Sequence, residues 1–246
     1  MDKNTKHVIR LWIPGIIAFG YIGWMLVISV EHKSYVPGVA ILISLGFTLA
    51  LFYFMRRRIF RLYLQPNPYV IADFYRKSMR RAPNGTAMAA YCSALAFTLY
   101  GQYESARAEL APVDWFSLPP LYQGFERCSL SLIALFEVRD YEQALALSEQ
   151  GRELCAVSEL FPGSKQAKVF FDTNIAVNKL LMGEATPNLL EQLEKSVAQL
   201  QNIWRAFPAW ALAVHYGRIG NLEKAESYKV IVRTLVPHCK PLNDFN

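Results

Sequence analysis

Two long apolar runs occupy the first quarter of the 246-residue chain. Residues 11–30 and 36–55 contain no Asp, Glu, Lys or Arg, and the short connection 31–35 joins them. About 20 helical residues, each rising ~1.5 Å, cover the ~30 Å hydrocarbon core of a bilayer. The pattern therefore predicts a two-helix transmembrane hairpin within residues 1–61.

A secretory signal peptide is the alternative interpretation of the first run. The run exceeds the roughly 7–15 apolar residues typical of such a signal, and no small-x-small cleavage pattern follows it. We therefore expect it to be retained as a membrane helix. Gly15, Gly20 and Gly23 form a strip of small residues, against which the second span or a helix of another subunit could pack.

The positive charge of the chain lies beside these two runs. Residues 1–61 carry eight Lys or Arg and two acidic residues, which accounts for the whole formal net charge of +6. Three of the basic residues precede the first run and four follow the second, whereas the connection has only Lys33 and Glu31. The positive-inside rule then predicts that both termini are cytoplasmic. Because the rest of the chain is neutral, no nucleic-acid partner is expected.

A basic segment follows the second run, over residues 62–83 and the arginines just before it. Pro66 and Pro68 must break the helix that leaves the membrane, so a new helix is predicted to begin near Tyr69. The segment is either a lipid-surface element or a stop-transfer charge block followed by the first helix of the next domain. The basic residues are Arg56, Arg57, Arg58, Arg61, Arg76, Lys77, Arg80 and Arg81.

From residue 84 onward, apolar residues recur at helical spacing between Gly, Pro and Asn breaks, and little β character is present. The fold class predicted for the whole chain is therefore all-α, with a helical domain over residues 84–246. The predicted helices cover residues 86–100, 103–110, 121–138, 141–155, 165–182, 189–204, 209–219 and 222–235.

An internal repeat runs through this helical domain. The pattern Gly-x-aromatic-x-x-Ala begins at Gly101, and a variant with Leu for the aromatic begins at Gly220. A weaker copy begins at Arg139, which replaces the glycine. Tyr103 and Tyr141 are 38 residues apart, and Leu222 follows Tyr141 by 81, which leaves room for one more unit near Gly183. The spacing predicts four helix-turn-helix units of about 40 residues.

These residues resemble the tetratricopeptide-repeat family, whose unit is two antiparallel helices with small residues where they cross. The resemblance implies an α-solenoid in which Gly ends the first helix, an aromatic residue or Leu fills the hairpin, and Ala allows close approach. The departures are Arg139, a third unit marked only by Gly183, and a period longer than the usual 34 residues. The matching positions are Ala94, Phe97, Gly101, Tyr103, Ala106, Tyr141, Ala144, Ala213, Tyr216, Gly220, Leu222, Ala225 and Pro237.

Such solenoids usually bind partners on a surface lined by the first helix of each unit. On that resemblance, the candidate groove residues for a protein partner are Tyr91, Thr98, Arg127, Asn174, Asn178 and His215. The phase of each helix decides whether these residues lie in the groove or in the core.

No constellation of catalytic or metal-binding residues stands out in the sequence. The four cysteines form no C-x-x-C pair, and none of the four histidines has an acidic or cysteine partner at ligand spacing. His215, near Trp210 and Arg218, is the best candidate for a general base, although a structural role fits it better. We therefore expect reduced, buried thiols, no cofactor, no metal ion, no small-molecule ligand and no enzymatic activity.

Three functions remain open at this point. The leading hypothesis is a membrane-anchored scaffold or adaptor that binds a protein partner at the cytoplasmic face. The second is a structural accessory subunit of a larger membrane transport or secretion complex, in which the glycine strip of the first span would pack. The third is a membrane enzyme that acts on lipid through His215 or the basic segment 56–81.

Overall fold

The computed structural model describes residues 60–80, 82–157, 164–200 and 203–245, together with the isolated positions 45, 46 and 57. The chain divides into two compact units, Met1–Ile59 and Phe60–Asn246. Apart from Leu45 and Gly46, the two predicted spans lie outside the described residues, so the hairpin and its orientation stay predictions. Among the residues described, no helix combines the length and the apolar character that a membrane crossing requires.

The second unit consists of helices, and no strand occurs in its described ranges, so the prediction of an all-helical fold is confirmed for this part. Short 3₁₀ turns lie at Trp115–Ser117 and Pro241–Asn243, and a π-helical turn lies at Ala134–Val138. The α-helices are α1 (Pro68–Met79), α2 (Gly85–Leu99), α3 (Tyr103–Leu110), α4 (Pro120–Ile133), α5 (Tyr141–Ala156), α6 (Ser164–Leu181), α7 (Pro187–Gln199), α8 (Ile203–Arg218) and α9 (Leu222–Leu235).

The helices pack mainly against their neighbours in sequence. Four consecutive pairs are formed by α2 with α3, α4 with α5, α6 with α7 and α8 with α9, and α1 packs on α2. Additional contacts join α2 to α4 and α6 to α8, which stacks the first helices of successive pairs. This repeat-like packing of helix pairs is what the periodic pattern of the sequence predicts.

Each of the four pairs turns at a residue with positive φ. These residues are Gly101 (74°), Arg139 (56°), Gly183 (98°) and Gly220 (77°), at intervals of 38, 44 and 37 residues. In the three glycine turns, the amide after the glycine donates to the carbonyl five positions earlier, as expected for a helix that ends in the left-handed conformation. The third turn therefore has the same geometry as the other two glycine turns, although its sequence signal is weak.

Arg139 adopts the left-handed conformation without being glycine. The π-helical turn before it adds one residue, so that the Asp140 amide donates to the Ala134 carbonyl, six positions earlier, at 3.1 Å. The Asp140 carboxylate then caps α5 by accepting a hydrogen bond from the Gln143 amide at 2.9 Å. Hydrogen bonds thus join the turn to the helix before it and to the helix after it, which compensates for the conformational cost at Arg139.

Alanines lie where the two helices of a pair cross. Ala106, Ala144 and Ala225 are fully buried, as expected for small residues where two helices approach closely. Leu222 behaves differently from the prediction that it fills the hairpin, since it is 71% exposed. It opens α9 directly after the Asn221 cap, and its side chain is in contact with solvent.

Helix α8 begins earlier than the sequence predicts. The sequence predicts that one helix ends at Trp204 and the next begins at Ala209, just after Pro208. In the structure α7 ends at Gln199, and α8 runs from Ile203 with Pro208 inside it. Residues on both sides of Pro208 are buried, so apolar packing outweighs the roughly 3 kcal/mol that an interior proline costs.

Candidate functional site

A cleft of about 340 Å³, part of it open to solvent, lies between the second and fourth helix pairs. Its walls come from the π-helical turn, the end of α6, one face of α8 and the C-terminal segment, by which we mean residues 236–245. The lining residues are Leu135, Phe136, Arg139, Tyr141, Leu181, Trp210, Val214, Arg218, Pro241 and Asp244. The end of the C-terminal segment is thus one wall of the cleft.

Aromatic rings form the floor of this cleft. The ring of Phe136 lies edge-on to Trp210, with centroids 5.3 Å apart, and edge-on to Phe207 at 6.0 Å. Trp204 and Phe170 extend the cluster, with their centroids 4.3 Å apart. Edge-to-face contacts of this kind hold rings rigidly, so the floor is a preformed apolar surface.

Two guanidinium groups lie at the rim of the cleft. The Nη2 of Arg139 forms an ion pair with the Asp244 carboxylate at 2.6 Å. Arg218 donates from Nη1 to the Leu181 carbonyl at 3.4 Å, a long and therefore weak hydrogen bond. The charged residues that line the cleft are thus two arginines and one aspartate, which leaves an excess of positive charge.

The C-terminal segment is held in the structure by its apolar side chains. Val236, Cys239 and Leu242 are completely buried, and each buried aliphatic side chain contributes roughly 1.5–3 kcal/mol. The Asn243 amide donates to the Val236 and Cys239 carbonyls at 2.9 and 3.0 Å, which folds the segment into a compact turn. Residues 236–243 therefore belong to the core of the domain.

The last two described residues are held less firmly. The Trp210 indole Nε1 donates to the Asp244 carbonyl at 2.7 Å, and the Phe245 ring lies 5.5 Å from Lys229 Nζ. The side chains of Arg139 and Asp244 are 49% and 42% exposed, and an ion pair that exposed contributes about 0.2–1 kcal/mol. The firmly and weakly held parts of the segment therefore meet between Leu242 and Asp244.

The C-terminal segment also approaches the start of the domain. The Tyr100 hydroxyl donates to the carbonyls of Tyr63 and Gln65, which ties α2 to the chain before α1. Burial is the main reason that the pKa values of Tyr63 and Tyr100 are raised, and the nearby Cys239 thiol contributes to both shifts. The segment thus lies beside the first helix pair as well as the second and fourth.

Four of the six predicted groove residues are buried. The Thr98 hydroxyl donates to the Ala94 carbonyl of its own helix at 2.8 Å, and Tyr91 stacks on Phe125 with a centroid separation of 4.8 Å. Asn174 and Asn178 lie in the interior of α6. These four side chains do not line an open surface. The physical reason is that successive helical residues are about 100° apart, so an error of one position exchanges surface for core.

Asn174 belongs to a buried polar network instead of a groove. Its Nδ2 donates to the hydroxyls of Ser131 on α4 and Ser148 on α5, at 3.0 and 2.8 Å. The Ser131 hydroxyl also donates to the Ala144 carbonyl at 2.8 Å, and Asn178 Nδ2 donates to the Asn174 carbonyl at 2.9 Å. The network joins the second helix pair to the third.

Arg127 and His215 are the two predicted groove residues that are partly exposed. His215 lies on α8, next to the Tyr216 ring at 5.3 Å. Partial burial is the main cause that lowers its pKa, and the positive charge of Arg218 lowers it further. No cluster of three or more potential metal ligands occurs among the residues that the structure describes.

The predicted membrane-surface residues are only partly described. Arg56, Arg58 and Arg81 lie outside the described residues, whereas Arg57, Arg61, Lys77 and Arg80 are exposed. Arg76 is also exposed, but it forms ion pairs with Asp73 and Glu109, which raises its pKa and ties α1 to α3. The exposed cations of α1 that remain available for phosphate groups are therefore Lys77 and Arg80.

The cleft residues were largely missed by the sequence reasoning. Phe136, Trp210 and Asp244 carry no motif, and Arg139 was noted only as a departure from glycine at a turn. The one available signal is the run of aromatic residues at helical spacing on α8, at positions 204, 207 and 210. No protein-family model, curated protein or solved structure matches this chain.

Proposed function

We propose that this chain is a membrane-anchored helical-repeat scaffold that binds a protein partner through the cleft between its second and fourth helix pairs. The observation that carries the proposal is that one wall of the cleft is itself a piece of polypeptide, the end of the C-terminal segment, which is held by an ion pair, a backbone hydrogen bond and cation–π contacts. The same types of contact bind peptide segments in protein complexes.

The resemblance to tetratricopeptide repeats supports the same function. Repeats of helix pairs bury a continuous core and leave an extended surface along the stacked first helices. In this chain the first helices are in contact in two sets, α2 with α4 and α6 with α8, and the cleft includes residues of the second, third and fourth units. We take the domain to be an α-solenoid of this type.

The two apolar runs of the sequence supply the membrane anchor in this proposal. A hairpin with cytoplasmic ends would keep the helical domain near anionic headgroups, where Lys77 and Arg80 could meet phosphate. Confinement to the membrane surface would raise the effective concentration of any partner held there. Reporter fusions after Lys33 and after Asn246 should report opposite sides of the membrane, and the same side for both would refute the hairpin.

Photo-crosslinking of the full chain in its native membrane tests partner binding. A benzophenone amino acid replaces Arg218, which is exposed at the cleft, and in a matched control it replaces Glu149, which is exposed on α5. We expect the Arg218 position to crosslink a second protein that the Glu149 position does not capture. If both positions capture the same proteins, or the Arg218 position captures none, the proposal is wrong.

A further inference from the structure

The C-terminal segment that lines the cleft divides into a buried part and a partly exposed part. Val236, Cys239 and Leu242 contribute to the domain core, so their removal would disrupt the fold. Asp244 and Phe245 contact the outside of α8, α9 and the Arg139 turn, where both members of the ion pair remain in contact with water. The exposed ion pair adds little stability, and neither Asp244 nor Phe245 is part of the buried core, so a competing segment that replaces their contacts leaves the core intact.

The contacts of Asp244 and Phe245 define three features that a segment bound in their place would share. A carboxylate meets the Arg139 guanidinium, and a backbone carbonyl accepts a hydrogen bond from Trp210 Nε1. The next residue places an aromatic ring near Lys229 Nζ at 5.5 Å and Arg233 Cζ at 5.6 Å, within the range of cation–π attraction. The occupied site thus recognises an acidic residue followed by an aromatic one, in an extended backbone.

Asp244 neutralises only part of the positive charge at this site. Arg218 also lines the cleft, and its contact among the described residues is the long hydrogen bond to the Leu181 carbonyl. Its remaining guanidinium N–H groups can donate to the two oxygens of a carboxylate in the usual bidentate geometry. A segment with a second acidic residue would therefore accept hydrogen bonds from Arg218 as well as from Arg139, which, among the described residues, the chain's own end does not do.

We propose that the cleft recognises an extended acidic segment of a partner protein, with a carboxylate at Arg139 followed by an aromatic residue, and that this segment displaces Asp244 and Phe245. This inference rests on the proposed function, because it names the chemistry of the partner. The binding-competent state is then the one in which the C-terminal end has left the cleft. The apparent affinity for the partner segment then equals the intrinsic affinity multiplied by the fraction of molecules whose own end has left the cleft.

Hydrogen exchange of the Trp210 indole N–H, measured on the full chain in detergent, tests whether Asp244 can leave, because this group donates to the Asp244 carbonyl. In Asp244→Arg the two like charges repel, and we expect the indole N–H to exchange about threefold faster than in the wild type, as the loss of an exposed ion pair implies. The charge swap Arg139→Asp/Asp244→Arg should restore slow exchange. Equal exchange rates in all three proteins would overturn the proposal. Asp244→Asn, a smaller change, replaces Asp244→Arg if circular dichroism shows loss of helix.

Peptide binding tests recognition separately from release. The probe is a fluorescent peptide with the sequence of residues 240–246, Lys-Pro-Leu-Asn-Asp-Phe-Asn, and its control has Asn in place of Asp. By fluorescence anisotropy, we expect the acidic peptide to bind Asp244→Arg at least threefold more tightly than the wild type, since competition is relieved. Arg139→Asp also frees the end by repulsion but should not bind the acidic peptide. Equal binding to both variants, or equal binding of both peptides, would overturn the proposal.

Competition with the photo-crosslink distinguishes this inference from the function on which it rests. If a partner crosslinks at position 218 and excess acidic peptide does not reduce the yield, the inference is wrong and the proposed function stands. If the acidic peptide binds as described and no partner crosslinks, the site chemistry stands and the proposed function is wrong. If the crosslinked protein is a second copy of this chain, the occupant is another copy's C-terminal end, and the proposal of a separate partner is wrong.

Discussion

The ring of Phe171 on α6 lies directly against the backbone of Gly151 on α5. A Cβ atom at residue 151 would be 2.5 Å from Phe171 Cζ, far inside van der Waals contact. Phe171 is itself buried, so its ring has no free space into which it can move. The close approach of the second and third helix pairs therefore depends on a glycine that has no backbone strain of its own.

Replacement of Gly151 by alanine should destabilise the domain. Overpacking of a buried contact costs about 1–3 kcal/mol, whereas the higher helix propensity of alanine returns only up to about 1 kcal/mol. We expect a net loss of about 1–2 kcal/mol in the free energy of unfolding, measured by urea titration of the full chain in detergent.

The matched control is Gly217→Ala on α8, where a Cβ atom would meet nothing within 4 Å. Helix propensity alone then applies, and we expect this variant to gain about 0.5–1 kcal/mol of stability. The same sign for both variants would contradict the packing argument.

Gly220→Ala tests the left-handed turns. The residue has a φ of 77°, and a Cβ atom would again meet nothing within 4 Å, so any effect arises from backbone conformation. Alanine in this conformation costs about 1–2 kcal/mol, and Asn should cost less because it tolerates positive φ. Unfolding titrations of Gly220→Ala and Gly220→Asn should therefore rank the wild type first, Asn second and Ala third. Equal stability of all three would show that the turn does not require positive φ.

Asn174→Ala should be among the more damaging substitutions in the compact unit Phe60–Asn246. It removes the Nδ2 group that donates to Ser131 and Ser148, and it leaves buried hydroxyls with fewer partners. The loss of a buried hydrogen-bonding partner costs about 1–3 kcal/mol, and the vacated volume adds to this cost. We expect a loss of about 2 kcal/mol or more in the free energy of unfolding.

Gln192→Ala is the control for Asn174, since Gln192 is exposed on the adjacent α7 and makes only a 3.5 Å contact with the Asp172 carbonyl. It should change stability by less than about 0.5 kcal/mol. A double-mutant cycle with Ser148→Ala should give a coupling energy clearly different from zero. Additive effects would show that Asn174 and Ser148 do not act as one network.

Alkaline pH should weaken the domain through its buried thiols. Burial raises the pKa of Cys155 from about 9 to about 11 and that of Cys239 to about 12. Below pH 9 both states hold these protons, so the thiols add no pH dependence. As pH rises above 9 the unfolded chain loses the protons first, and stability falls by about 1.4 kcal/mol per pH unit for each thiol until the folded pKa is reached.

Urea titrations at pH 8, 9 and 10 measure this slope. Cys239→Ala lowers stability at every pH because it leaves a small cavity, but it should also remove one thiol's share of the decrease between pH 9 and 10. If the decrease is the same in Cys239→Ala and in the wild type, the Cys239 thiol is not protected from ionisation in the folded state.

Local pattern was sufficient for the helices of the second unit and for most of their turns. Helices α3 and α9 have the predicted boundaries, because a glycine turn precedes each, and the Asn221 side chain also caps α9. The exceptions have tertiary causes. Pro208 lies inside α8 because its neighbours are buried, and Leu222 is exposed although its position in the repeat suggested an interior role.

The candidate site was much harder to predict than the helices. The groove was assigned from the first helix of each unit, and four of its six residues proved to be core because the helical phase was unknown. Trp210 and Asp244, which do define the cleft, are joined by a hydrogen bond across 34 positions of sequence. The spacing of neighbouring residues does not predict a contact between residues so far apart in the chain.

By itself the sequence determined the apolar runs, the distribution of charge, the helical periodicity and the glycines that permit positive φ, because each depends on residues near one another in the chain. Only the tertiary structure decided which face of each helix is buried, and it alone brought Arg139 to Asp244 across 105 positions. That contact depends on how small rotations between successive helix pairs accumulate. Such rotations are set by the packing of buried side chains, including the ring of Phe171 against Gly151.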